Sequence, residues 1–219
     1  MKQNLTELVF ILDRSGSMAA LTSDTIGGFN SMIEKQKEEP GEAYVTTVLF
    51  DNRYEVLHDH IPLPEIRPIT DRDYYARGNT ALLDAVGRTI NTVGARLNAT
   101  PEEERPSKVI IVITTDGLEN CSHEFTAAQI RKMITHQQEK YNWNFIFLGA
   151  NMDAVGEAEK LGIDPQFARN YTASKAGTAS LYLGVGATMA CMRTSQFDRK
   201  RKDGIFQKAM EALNKAEGK

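Results

Sequence analysis

Residues 8–18 read Leu-Val-Phe-Ile-Leu-Asp-Arg-Ser-Gly-Ser-Met, and no other stretch restricts the fold as much. Five consecutive apolar residues rich in β-branched and aromatic types suit a strand covered on both faces, which is the condition of a parallel strand inside a layered α/β sheet. The run ends on an acid and two hydroxyls around a glycine. In an open α/β sheet, ligands bind in the crevice beyond the carboxyl ends of the strands, so Asp13, Ser15 and Ser17 are expected to line such a crevice. Oxygen donors packed this closely suit a hard divalent cation.

The rest of the chain supplies the layers. A helix is predicted to about residue 39, capped by Ser17 or Ser23, with Ile26, Phe29, Met32 and Ile33 at helical spacing. Residues 43–51 and 54–61 read as strands joined by a turn too short for anything but an antiparallel hairpin, and the prolines that follow put the second at the sheet edge. Residues 62–75 are expected to be a surface loop. A helix opens at residues 77–80, with Thr80 at or near its N-cap, and carries Leu82, Leu83, Val86, Ile90, Val93 and Leu97. A polar linker over 98–107 precedes the second continuous apolar strand, 108–115, which again stops on hydroxyl and acid at Thr114, Thr115 and Asp116. Then come a helix over 125–139, a strand over 144–149, a short helix over 153–161 stopped by Gly162, and a last edge strand over 167–171. A helix over 173–197 is expected to be interrupted at Gly184 and Gly186. Alternating strands and helices predict a doubly wound, mostly parallel sheet with one antiparallel edge strand and helices on both faces, forming one domain over 1–198. Residues 199–219 form a charged tail in which Ile205, Phe206, Met210 and Leu213 predict a short amphipathic helix docking back on the body.

Composition narrows the partners. The 219 residues carry a formal net charge of −3, which gives no general attraction to nucleic acid or anionic membrane. Cys121 and Cys191 are too few for a disulfide scaffold and match no zinc spacing, even with His123 near the first. The first residues lack the pattern of an export signal, no apolar run reaches membrane-spanning length, and the expected setting is a reducing cytoplasm.

Three sequence positions deliver oxygens to one end of this sheet: Asp13, Ser15 and Ser17; Thr80 within Gly78-Asn79-Thr80; and Asp116 within Thr115-Asp116-Gly117. Together, in that order, they resemble the von Willebrand factor type A (vWA) domain with its metal-ion-dependent adhesion site, over roughly residues 5–197. The resemblance implies a Rossmann-like vWA fold and a metal held by Ser15, Ser17 and Thr80 through hydroxyls and by Asp13 and Asp116 directly or through water. The family often has a second glycine where Asn79 stands, a residue that tolerates left-handed backbone.

Two carboxylates and three hydroxyls leave a dication incompletely matched, so an outside carboxylate is its natural partner. The expected function is a non-enzymatic, metal-dependent interaction module that recognises an Asp or Glu of another protein, self-association included. Mg²⁺ is favoured, with Mn²⁺ next and Ca²⁺ less suited. Arg14, Arg77, Glu119, Asn120 and His123 are the expected partner-binding rim, and Asp84 a loop-bracing acid. Three other readings stay open: a magnesium-dependent phosphatase or phosphotransferase with Asp13 as nucleophile, a serine hydrolase without a recognisable elbow, and a subunit whose metal only stabilises the fold.

Overall fold

The computed structural model describes residues 1–171 and 174–194. The domain boundary at 198 and the predicted helix in the charged tail lie outside the described residues. Strand β1 (Lys2–Asp13) is buried from Leu5 onward, because β2 (Glu42–Phe50) and β4 (Pro106–Thr115) pair with it in parallel on either side. The register sets Asp13 opposite Phe50 and Leu12 opposite Thr114, so three strands end at one level. Strand β3 (Tyr54–Pro62) runs antiparallel on the outer side of β2 after a tight turn, while β5 (Asn144–Ala150) and β6 (Ala168–Tyr171) extend the sheet in parallel beyond β4. The order is β3-β2-β1-β4-β5-β6, with one antiparallel edge pair.

Among the described residues five α-helices cover the sheet: α1 (Thr22–Glu38), α2 (Leu82–Ala99), α3 (Ala127–Tyr141), α4 (Ala154–Lys160) and α5 (Lys175–Arg193). Right-handed crossovers between parallel strands send α1 to one face and α3 and α4 to the other, because β1 leads to β2 in one direction along the sheet and β4 leads to β5 and β6 in the opposite one; α2 lies with α3. Helix α5 packs on α1, and α2 packs on α3. The chain therefore reverses its winding between β1 and β4, and a crevice at the carboxyl ends of these strands is where such a sheet offers a site.

Three expectations change. Neither Ser17 nor Ser23 caps α1, because a 3-10 turn, Gly16–Leu21, intervenes, and neither helix start has a side-chain cap. Thr80 lies next to Ala81, the N-cap of α2, so it is near the helix start as expected, but its hydroxyl makes no capping bond. The segment expected as a surface loop instead buries Leu63, Ile66, Ile69 and Tyr74, since its four apolar side chains roof the edge of the core. Helix α5 runs unbroken through Gly184 and Gly186. Gln36 Nε2 of α1 donates to the Gly186 carbonyl at 2.9 Å, a bond that ties the two helices at this point.

Candidate metal centre

Asp13 ends β1 with its side chain fully buried. Its Oδ1 accepts from the Ser15 backbone N–H at 2.7 Å and its Oδ2 from the Thr115 hydroxyl at 2.6 Å, so neighbouring strands β1 and β4 fix both oxygens. Beyond the strand the chain turns sharply and lays the Ser15 and Ser17 hydroxyls 3.1 Å apart; Ser17 Oγ donates to Asp116 Oδ1 at 2.6 Å. A Cβ on Gly117 would stand 3.3 Å from Thr80 Oγ1 and 3.5 Å from Ser17 Oγ, which brings the second loop to the same point and explains why a residue without a side chain follows Asp116. All five residues expected at a metal are thus brought together. The hydroxyls of Ser17 and Thr80, which a helix start could have claimed, make no capping bond.

The N-terminus of α2 is served from the third loop. Glu119 accepts from the Leu83 N–H at 2.9 Å, and the Ser122 hydroxyl from the Asp84 N–H at 3.1 Å. Asp84 in return accepts from the backbones of His123, Glu124 and Phe125. Burial would raise its pKa, but these three donors outweigh it and hold the carboxyl below the usual range. Asp84 thus braces the loop, as the sequence suggested. Asn120 clasps Thr80 from both sides, its Oδ1 taking the Thr80 N–H at 3.0 Å and its own N–H reaching the Thr80 carbonyl at 3.1 Å.

The rim expectation requires correction at Arg14. This side chain is completely buried, because Asp51 at the end of β2 takes its Nε at 3.2 Å and Glu55 takes Nη2 at 2.5 Å. Arg77 shares both acids, at 2.6 Å from Asp51 and 3.7 Å from Glu55, and the Tyr75 ring lies beneath both guanidinium groups. The four charges tie the first two loops to the β2–β3 turn. Backbone bonds from Arg77 N–H to the Arg14 carbonyl (2.7 Å) and from Gly16 N–H to the Gly78 carbonyl (3.0 Å) complete the junction. Glu119 is likewise spent, holding the Leu83, Cys121 and Ser122 N–H groups and the Ser122 hydroxyl. Left-handed backbone falls on Gly78 (φ +70°), where a Cβ would meet Asn52 Oδ1 at 2.2 Å, and not on Asn79, which therefore bears no conformational cost.

Two supporting residues escaped the sequence reading. Asp51 had a signal, an acid ending an apolar strand at the same level as Asp13. Tyr74 had none; its hydroxyl donates to the Asp13 carbonyl from a segment 61 residues away.

No family model and no curated protein matches the sequence. Solved structures do. Proximal thread matrix protein 1 from the mussel byssus, with a zinc-occupied MIDAS motif, superposes with a TM-score of 0.56 at 16% identity over 84% of this chain and 46% of that one. The vWF domain of the type V pili tip protein Mfa5 from Porphyromonas gingivalis gives 0.59 at 11% identity, covering 89% of this chain and 98% of the other. A von Willebrand factor type A structure from Catenulispora acidiphila gives 0.53 at 16%, over 84% and 42%.

The chain has the von Willebrand factor type A fold.

It spans under half the length of the mussel and Catenulispora chains. Within this vWA fold the donor chemistry suits a divalent cation. Burial pushes the Asp13 carboxyl up to about 6, against the hydrogen bonds from Thr115 and Ser15, and the nearby Asp116 charge adds to the rise. Burial also raises Asp116 despite the Ser17 hydroxyl. Two acids held at such cost beside three hydroxyls are what a cation would relieve.

Proposed function

We propose that this vWA domain is a non-enzymatic interaction module that binds Mg²⁺ or Mn²⁺ at Asp13, Ser15, Ser17, Thr80 and Asp116, and through it an acidic side chain of another protein. The reading is carried by one observation: five oxygen side chains from three separate loops meet at one point, where the Ser15 and Ser17 hydroxyls turn to each other and to Asp116 and cap no helix. When bound, the cation supplies concentrated positive charge and a coordination position open to a foreign oxygen. The protein's own contribution is rigidity. Asp51, Asp84, Glu119 and Asn120 hold the loops so that no reorganisation is needed when the partner arrives.

Beside Asp116, Leu118 projects with 62% of its surface exposed. A partner whose acid is flanked by an apolar residue gains contact there; the acid of a second copy of this chain meets the same chemistry. A cytoplasmic setting belongs to the same proposal, supported by two cysteines that form no disulfide with each other.

The phosphatase alternative fares worse because Asp13 is fully buried, with each carboxylate oxygen already taken by a donor, which does not suit a nucleophile that must reach phosphorus. Isothermal titration with Mg²⁺ and Mn²⁺ tests the proposal, together with affinity capture from lysate in Mg²⁺ or EDTA. The parent should bind metal and capture a partner only with it, and Asp13→Ala should do neither. Metal binding that survives Asp13→Ala, or phosphate-ester turnover lost in Asp13→Asn, would overturn it.

A further inference from the structure

At the end of the molecule opposite the metal-binding loops, α2 and α3 part to leave a cavity of about 430 Å³ whose walls include Ile90, Gly94, Leu97, Val109, Tyr141 and Trp143. A Cβ on Gly94 would meet nothing within 4 Å, so the groove opens where α2 lacks a side chain. Tyr141, at its mouth, is 53% exposed, and among the described residues only two large apolar side chains, Met1 and Leu118, are more so. A groove with an aromatic floor and lip of this kind is the sort of surface an amphipathic segment covers.

The chain's own continuation fits it on three counts. Helix α5 ends at this end of the molecule, where Lys108 Nζ donates to the carbonyls of Arg193 and Thr194, and the residue after Lys108 is Val109 of the groove wall. From Thr194 to Ile205 is eleven residues, up to about 36 Å of extended chain, ample to round the lower edge of a sheet. The sequence beyond runs Arg199-Lys200-Arg201-Lys202, then Ile205, Phe206, Met210 and Leu213. Next to the groove is an exposed acidic turn, Glu102–Glu104, and its neighbour Arg105, which lines the groove, has its guanidinium engaged by the carbonyls of Asn98 and Thr100. In sequence, basic residues followed by apolar ones match an acidic turn followed by an apolar groove.

We propose that residues 199–213 fold back within the same chain, with Arg199 to Lys202 against Glu102–Glu104 and Ile205, Phe206, Met210 and Leu213 in the groove. The segment then covers the end of the domain remote from the metal loops and leaves those loops free for a partner.

The test is zero-length carbodiimide cross-linking of the full chain, in an equal mixture of unlabelled and ¹⁵N-labelled protein, read by mass spectrometry. Cross-links from Lys200 or Lys202 to Glu102, Glu103 or Glu104 within one isotopic chain are expected. Their absence, or their appearance only between labelled and unlabelled chains, overturns the proposal, the latter assigning the groove to a second copy. Two variants give an independent check: Phe206→Asp with Met210→Asp, which alters only the tail, and Gly94→Leu, which fills the groove while favouring helix. Each should lower the intrachain cross-link yield about tenfold. The tail variant should also raise hydrogen exchange over 90–98 about tenfold and expose Trp143, the chain's one tryptophan, to acrylamide. Cross-links and exchange unchanged in both variants would sink the idea.

Discussion

The two oxygens of Asp13 are met by a hydroxyl and a backbone N–H, neither of which carries charge, while the one cation adjacent in sequence, Arg14, turns away to Asp51. The folded chain consequently holds the Asp13 proton more tightly than the unfolded one, about 6 against 3.8. Because the native state binds more protons in that interval, the metal-free protein should be most stable below pH 4 as far as this group is concerned. It should lose about 3 kcal/mol as pH rises from 4 to 6, two units at 1.36 kcal/mol each. Asp13→Asn removes that cost: Ser15 keeps an oxygen to donate to, and the Thr115 hydroxyl has the Gly117 carbonyl 3.0 Å away as another acceptor. Urea denaturation in EDTA at pH 7.5 should find Asp13→Asn more stable than the parent by about 1–3 kcal/mol. Greater stability of the parent would mean that the ionised acid is not costly where it sits. Asp51 predicts the opposite behaviour. Asp51→Ala leaves Arg14 buried beside Glu55 alone and should cost about 3–5 kcal/mol, whereas replacing both by Arg14→Met with Asp51→Leu should cost much less. Arg14 also marks where sequence reasoning stops. Asp13, Ser15 and Ser17 are legible because they are contiguous, but Arg14 between them reads as an exposed loop cation unless its acids, 37 and 41 residues away, are known to be neighbours.

At the scale of elements, apolar runs and helical periodicity located the six strands and five α-helices of the described residues, because in a layered α/β fold burial follows local pattern. The misreadings came where tertiary contact overrides local preference. Gly184 and Gly186 suggest a broken helix in isolation; α5 stays whole because its packing on α1 more than offsets the glycine cost of about 1 kcal/mol each. The segment 62–75, rich in proline, looks like solvent-exposed loop, yet Asn30 reaches across to hold both the N–H and the carbonyl of Ile69 at 2.9 Å. The end of α5 is fastened in the same manner. Arg193, itself buried, donates to the carbonyls of Gln36 (2.8 Å) and Gly41 (2.9 Å) and so closes the C-terminus of α1 with a cation. Arg193→Ala should therefore destabilise the domain by about 2–3 kcal/mol, the range for hydrogen bonds to a charged donor. In hydrogen exchange the loss of protection should appear together at 188–193 and 34–41. Loss confined to α5 would mean that the guanidinium does not join the two helices.

For the whole molecule, the consequence of building one site from residues as far apart as 13 and 120 is that metal occupancy and global folding are linked. The three loops leave β1, the α2 start and β4, and the ties among them run through β2, so a locally opened chain that kept the site intact would have to keep most of the sheet as well. A cation that binds the folded chain and not the unfolded one stabilises it by about 2.7 kcal/mol when present at a hundred times its dissociation constant. In a domain of this size each kcal/mol moves the melting temperature by about 2–4 °C, so Mg²⁺ should raise the parent's Tm by about 5–10 °C at pH 7.5. The same titration at pH 5 should give a much smaller shift, because Asp13, raised to about 6 by its burial, is then mostly protonated and the proton competes with the metal. Asp13→Asn should start from a higher Tm and gain nothing from metal at either pH. Differential scanning calorimetry on the two proteins, with and without EDTA, reads all of these at once. A metal-dependent rise of equal size in the parent and in Asp13→Asn would place the cation elsewhere on the molecule, whereas a rise in the parent that does not shrink at pH 5 would leave the site in place and remove Asp13 as the group that makes it pH-sensitive.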